Sequence, residues 1–281
     1  MKLIALDLDG TLLTTEKTLT PENEAALRRA AGAGAEIVPA TGRFFGAIPD
    51  NVRTLPFLRY AITINGAEIL EVRSGRVLHR AEIAGERAVE VMEYLDTLPV
   101  IYDCYMDDWG WMTRSHYERA ADYAPHRHSL ELLRRFRTPV PELKAHLTEV
   151  GHDVQKIQMF FRDPALRERE MEQMRRRFPD LAVTGSVPGN VELNRRDAQK
   201  GAALQWLTAY LGLAPSQTVA FGDDLNDVSM LRAAGVGVAM GNACPEARAA
   251  ADYVTESCDE NGVARALDRW GLCDEGNEST M

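Results

Sequence analysis

The sequence predicts an α/β protein, a doubly wound parallel-sheet core interrupted by an inserted α+β block. Three observations predict it. Short apolar runs alternate with helical stretches near both ends of the chain, the pattern of a parallel sheet covered by helices on both faces. Two of these runs, at the start and around residue 220, finish in acids. The texture between them differs, with alternating aromatic-rich segments, and 281 residues is long for one compact core.

Taken in order, Lys2 to Leu6 form a continuous apolar run that suits a strand buried on both faces, and Asp7 and Asp9 stand at its exit. Thr20, Pro21, Glu22 and Glu24 are helix-start signals, and glycines stop that helix at 32 and 34. The stretch AEIVPATGR is a second strand ending in Thr41, Gly42 and Arg43. A third, YAITINGAEIL, is broken at Asn65 and Gly66, with a turn at Ser74 and Gly75. After Ile83 come an amphipathic helix (ERAVEVMEYLDTL), an aromatic hairpin (VIYDCYMDDWGWMTRSHY), a helix (VPELKAHLTEV), a strand (DVQKIQMFF) and a further helix (PALREREMEQMRRRF). LAVTGSVPGNVELN supplies one or two more strands. The first texture returns near Asp197. A helix with Leu204, Leu207 and Leu211 on one stripe leads to the strand TVAFGDD. Then follow the helix NDVSMLRAAG, the strand VGVAMGN, the helix PEARAAA, the strand DYVTES and a polar, acidic tail. The expected boundaries are 1–82 and 189–281 for the core and 83–188 for the insert.

A formal net charge of −10 argues against a nucleic-acid backbone or an anionic membrane as the main partner, without forbidding an anionic substrate beside a bound cation. Cys104, Cys244, Cys258 and Cys273 are scattered, with no CxxC pair, and read as reduced thiols. Asp7 ends the first apolar run too early for a signal peptide, and no stretch approaches the roughly 20 apolar residues of a membrane span. A cytoplasmic protein, monomeric or a small homo-oligomer, is expected.

In open parallel sheets ligands bind beyond the carboxyl ends of the strands. Three strands place polar groups there: Asp7 and Asp9, Thr41, and the run from Asp223 to Asp227, with Lys200 opening a helix. Two residues apart in extended backbone, Asp7 and Asp9 point to one side. Such close carboxylates repel unless a cation lies between them or one keeps a proton. The acids of GDDLND complete an all-oxygen shell of the kind Mg²⁺ prefers, and with no suitably placed histidine zinc is not expected. The plain alternative, that the acid pair merely caps a turn, does not account for the second cluster and Lys200 together.

These residues carry a resemblance. DLDGT, PATGR, DAQKGAAL and GDDLNDVSM resemble, in order and spacing, the four motifs of the haloacid dehalogenase-like superfamily, mostly Mg²⁺-dependent phosphatases. NGA, MGNA and VTESCDENGVARAL are similar to segments of its Cof-type subfamily, which carries a large α+β cap (type IIB) between the second and third motifs. The resemblance spans nearly the whole chain and is weakest from 83 to 188. It implies a Rossmann-like core and a Mg²⁺-dependent phosphatase acting on a small phosphorylated metabolite through an aspartyl-phosphate on Asp7. Asp9 would serve as acid and base, so its pKa should lie above the ordinary value of about 3.9. Leu8, Thr41, Gly42, Lys200 and Asn226 would bind phosphate. Asp7, Asp223 and the Asp9 backbone carbonyl would hold Mg²⁺, and Asp227 would orient Lys200 or metal-bound water. The cap would exclude water and open about linkers near Ile83 and Pro188.

Other candidates carry plainer readings beside the functional one. Arg43 suits a substrate anion or a salt bridge to a core acid. Asn65 and Lys156 are possible substrate contacts. Trp109 and Trp111 share a strand face, for stacking on a substrate or for packing. His126 and His128 suit a solvated cap loop, and Arg175 to Arg177 a solvated helix face. The rival functions are a phosphomutase or phosphotransferase on the same scaffold, and a non-catalytic phosphometabolite sensor. The pairing of Asp7 with Asp9 speaks against the sensor, since binding alone needs neither nucleophile nor acid.

Overall fold

The computed structural model describes residues 1–124, 127–185 and 189–269. It divides the chain into two compact units, residues 1–79 together with those from 200 onward, and residues 80–199.

The first unit begins with β1 (Leu3–Leu6), every residue of which is buried, as its continuous apolar run requires. The helix Pro21–Gly32 opens as its start signals predict, with the Thr20 hydroxyl accepting from the Asn23 N–H at 3.2 Å. β2 (Glu36–Pro39) follows, then β3 (Tyr60–Thr63), β4 (Glu68–Glu71) and β5 (Arg76–Arg80). The expected single strand across 60–70 is corrected: β3 and β4 are an antiparallel hairpin. Ile64, Asn65 and Gly66 all have positive φ (50°, 59° and 97°), which reverses the chain instead of merely denting it.

The second unit is a six-stranded sheet, β6 (Ile101–Met106), β7 (Trp109–Thr113), β8 (Arg137–Val140), β9 (Lys156–Phe160), β10 (Leu181–Thr184) and β11 (Asn190–Arg195). Its order is β10-β11-β9-β6-β7-β8. The expected β6–β7 hairpin is present, turning on Asp107 and Asp108 at φ of 55° and 56°. One face, with Tyr102, Cys104, Met106, Ile157, Met159, Val191 and Leu193, packs on apolar residues of helices 85–95, 143–150 and 164–177. Helices Arg114–Arg119 and Arg127–Arg135 and the strand β8 have no counterpart in the sequence reading. Arg127 thus opens a helix where a loop was expected. His126, the side chain of His128, Pro188 and the polar tail lie outside what is described. The expected return to the core at 189 moves to 200, because β11 is hydrogen-bonded between β9 and β10.

Back in the first unit, the helix Lys200–Tyr210 leads to β12 (Thr218–Gly222), β13 (Val236–Ala239) and β14 (Tyr253–Val254). The main sheet runs β14-β13-β12-β1-β2, every pair parallel. Leu6 stands in register with Pro39 of β2 and Phe221 of β12, so the residues after all three strands emerge at one edge. Isolated parallel bridges, Ile37 to Leu58 and Ala40 to Ile62, bring the segment entering β3 and β3 itself alongside. Among the described residues, no helix is long and apolar enough to cross a membrane.

Candidate active site

The carboxyl edge of the main sheet gathers most of the predicted residues. Lys200, the first residue of its helix and fully buried, places Nζ 2.6 Å from Asp7 Oδ1 and 2.6 Å from Asp227 Oδ1. The second Asp227 oxygen accepts from the backbone N–H groups of Asp223 (2.9 Å) and Asp224 (3.1 Å). Asp227 therefore holds both the lysine and the loop that carries Asp223. On the far side of that loop, the Thr11 hydroxyl donates to Asp223 Oδ1 at 2.8 Å. Gly10 is required beside it: its φ is 91°, and a Cβ there would lie 2.4 Å from Asp223 Oδ2.

Asp7, Asp223 and Asp227 each bring a carboxylate oxygen within 4.8 Å of the others. Such a set fits a hard divalent cation: the donors are all oxygen, and three acids this close call for positive charge. Burial pushes Asp7 well above the usual carboxylate range, and the neighbouring acids add to this against Lys200. Burial, with Asp227 beside it, pushes Asp223 up to about 7. Lys200 is itself buried, yet Asp227 and Asp7 outweigh the burial and hold it protonated.

Asp9 departs from expectation. β1 ends at Leu6 and turns follow, so strand alternation does not carry through to residue 9. Its carboxylate is not part of the cluster but is gripped by Arg43, Nε to Oδ2 and Nη2 to Oδ1, both at 2.7 Å. Lys17 adds a contact at 3.0 Å. Burial alone would raise Asp9, but these cations prevail and hold it well below the ordinary range. The expected elevation is thus reversed. For Arg43, the salt bridge to a core acid is the arrangement present.

A second group forms around Thr41, which is 1 % exposed and whose N–H donates to the Ile62 carbonyl at 2.9 Å. Asn226 Nδ2 donates to Asn65 Oδ1 at 3.1 Å. A Cβ on Gly42 would lie 2.9 Å from that oxygen and 3.8 Å from the Asn226 nitrogen. Thr41, Gly42, Asn65 and Asn226 are thus neighbours, and Leu8 is buried between the two acids in sequence. Lys156 belongs to the second unit, where it is 2 % exposed, with Nζ 2.9 Å from Glu192 Oε1. Trp109 donates to the Thr138 hydroxyl and Trp111 to the Met106 carbonyl, both within that unit.

Three contributors escaped the sequence reading. Thr11 stood inside DLDGT, and its place there was the available signal. Lys17 reaches back to Asp9 from a turn at φ 59°, which no local pattern announces. Asn242 donates to the Gly10 carbonyl at 2.8 Å and accepts from the Cys258 N–H, a role fixed by contacts distant in sequence.

A parallel sheet whose carboxyl edge presents buried acids bridged by a buried lysine defines an α/β enzyme core. The comparisons make this specific: the chain belongs to the haloacid dehalogenase-like hydrolases, whose family pattern matches residues 4–267. It is similar to Phosphatase YwpJ of Bacillus subtilis, 34% identical over 95% of this chain and 99% of that protein. It is likewise similar to the 5-amino-6-(5-phospho-D-ribitylamino)uracil phosphatase YcsE of the same organism, 31% identical over 97% of this chain and 96% of the other. Among solved structures, a haloacid dehalogenase-like hydrolase from B. subtilis superposes with a TM-score of 0.81 at 32% identity, covering 95% of this chain and 99% of that one.

Proposed function

We propose that this protein is a phosphatase that hydrolyses a small phosphorylated metabolite, with Asp7 as nucleophile. The observation that carries the reading is the Lys200 ammonium held 2.6 Å from Asp7 within a buried cluster that includes Asp223. An anionic nucleophile approaching a phosphate dianion is repelled, and these cationic and cation-binding groups offset that repulsion. An Asp7 oxygen forms a bond to phosphorus as the ester P–O bond breaks, leaving an acyl phosphate and a departing alkoxide. Asp9 supplies the proton to that oxygen, then takes one from the water whose attack on phosphorus releases inorganic phosphate and restores the Asp7 carboxylate. Because Arg43 and Lys17 hold Asp9 ionised, that grip must loosen before Asp9 can act as acid. Thr41, the Gly42 and Leu8 amides, Asn226 and Lys200 hold the phosphoryl oxygens, with Asp227 fixing Lys200. Asp7, Asp223 and the Asp9 carbonyl would hold Mg²⁺, which would supply charge neutralisation for the attack.

The ribitylaminouracil phosphate named for one relative suggests a metabolite with a polar, ring-bearing leaving group. Phosphate release over a panel of phosphometabolites, with and without Mg²⁺, tests the reading. We expect Mg²⁺-dependent release that Asp7→Asn abolishes while its far-UV spectrum stays native. Undiminished turnover in that variant rules out covalent chemistry at residue 7.

A further inference from the structure

The geometry points to Asn65 as a positioning residue for the phosphate-holding groups, acting through Asn226; we infer this on top of the hydrolase reading above. Ile64, Asn65 and Gly66 are three consecutive residues in the left-handed region, at φ of 50°, 59° and 97°. A β-branched residue rarely adopts that conformation, and such strain persists only where the surroundings hold it. Here the Ile64 N–H donates to the Arg43 carbonyl and the Asn65 N–H to the Thr41 carbonyl, each at 3.0 Å, and all three residues are buried. The turn thereby clasps the loop that carries Thr41 and Gly42.

The same conformation delivers the Asn65 carboxamide to Asn226. Asn65 Oδ1 accepts from Asn226 Nδ2 at 3.1 Å across 161 residues of sequence. A carboxamide nitrogen carries two hydrogens, and committing one sets both the rotation of the amide and the direction of the other. Asn65 thus decides where the remaining Asn226 donor points, and its oxygen crowds the position beside Gly42 where any side chain would stand. A turn needed only to join β3 to β4 would be served as well by glycine, which enters the left-handed region freely. The buried, bonded carboxamide is what glycine would lack.

The test is a double-mutant cycle of Asn65→Gly and Asn226→Ala, read on kcat/KM and on orthovanadate binding in the presence of Mg²⁺. Asn65→Gly is expected to keep the wild-type thermal midpoint yet lose about tenfold in kcat/KM and vanadate affinity, the effect of one misdirected hydrogen bond. In the Asn226→Ala background it should change either quantity by less than about twofold, since residues acting through one another are not additive. Wild-type kinetics and vanadate affinity in a stable Asn65→Gly, or full additivity with Asn226→Ala, overturns the assignment. Should the glycine variant misfold, Asn65→Ala takes its place, and vanadate binding by its folded fraction is decisive in the same sense. A wild-type protein that releases no phosphate from any substrate overturns the hydrolase reading alone, because vanadate binding by the four proteins still decides the role of Asn65. A wild-type protein that binds no vanadate overturns both.

Discussion

Lys200 is the residue on which the site's electrostatics turn. It is fully buried between Asp7 and Asp227, so replacing it with an uncharged side chain strands two acids away from water. Breaking a buried ion network from one side costs about 3–5 kcal/mol. Lys200→Met should therefore show both a loss of that order in urea unfolding and a loss of phosphate release. A variant with unchanged stability would mean that the acids are already neutral in the native chain. The pH dependence follows from the raised Asp7 and Asp223. The folded chain keeps protons that the unfolded chain releases above about pH 3.9, so these groups make the metal-free protein less stable as pH rises from there to about 7. A cation that needs the ionised acids competes with those protons. Mg²⁺ should raise the thermal midpoint more at about pH 8 than at about pH 6. Equal rises at the two values would place the cation elsewhere.

At the scale of elements, turns with positive φ decide more than the strands they join. The hairpin β6–β7 passes through Asp107 and Asp108, both left-handed, while Asp108 donates its N–H to Gln155. Asp108→Gly preserves that hydrogen bond and removes the conformational penalty, so it should stabilise the chain, by about 1 kcal/mol at most, in guanidinium melts. A destabilised variant would show that the Asp108 side chain contributes more than its conformation costs. The turn at 64–66 is the counterpart in the first unit. Its Asn–Gly pair was visible as a break in an apolar run, but a break does not say whether the chain bends or reverses. The hydrogen bonds to the Thr41 and Arg43 carbonyls settle that, and these belong to the loop after β2, distant in sequence. The short strand β8 and the helices before it went unread for a related reason. RTPV is four residues long and carries a proline, and the Arg-rich RHSLELLRR, though amphipathic, is short and mostly polar, so neither stands out along the chain.

For the whole molecule, the second unit has its own apolar core, from Ile83 and Val91 to Val191 and Leu193. A chain of residues 80–199 should therefore fold alone, with a single cooperative transition by circular dichroism. A chain cut at 188 should not, because it loses β11 from the middle of the sheet pairing. The amino-acid sequence by itself determined the parallel core, the strand-end acids, the lysine and the insertion of a separate block. Each of these is written locally, as an apolar run and the residue that ends it. Tertiary structure alone decided other partners: Asp9 with Arg43 and Lys17, Asn65 with Asn226, and β11 with the insert. The physical reason is that a side chain's charge state and direction depend on groups brought close through space, and periodicity along the chain carries no record of them.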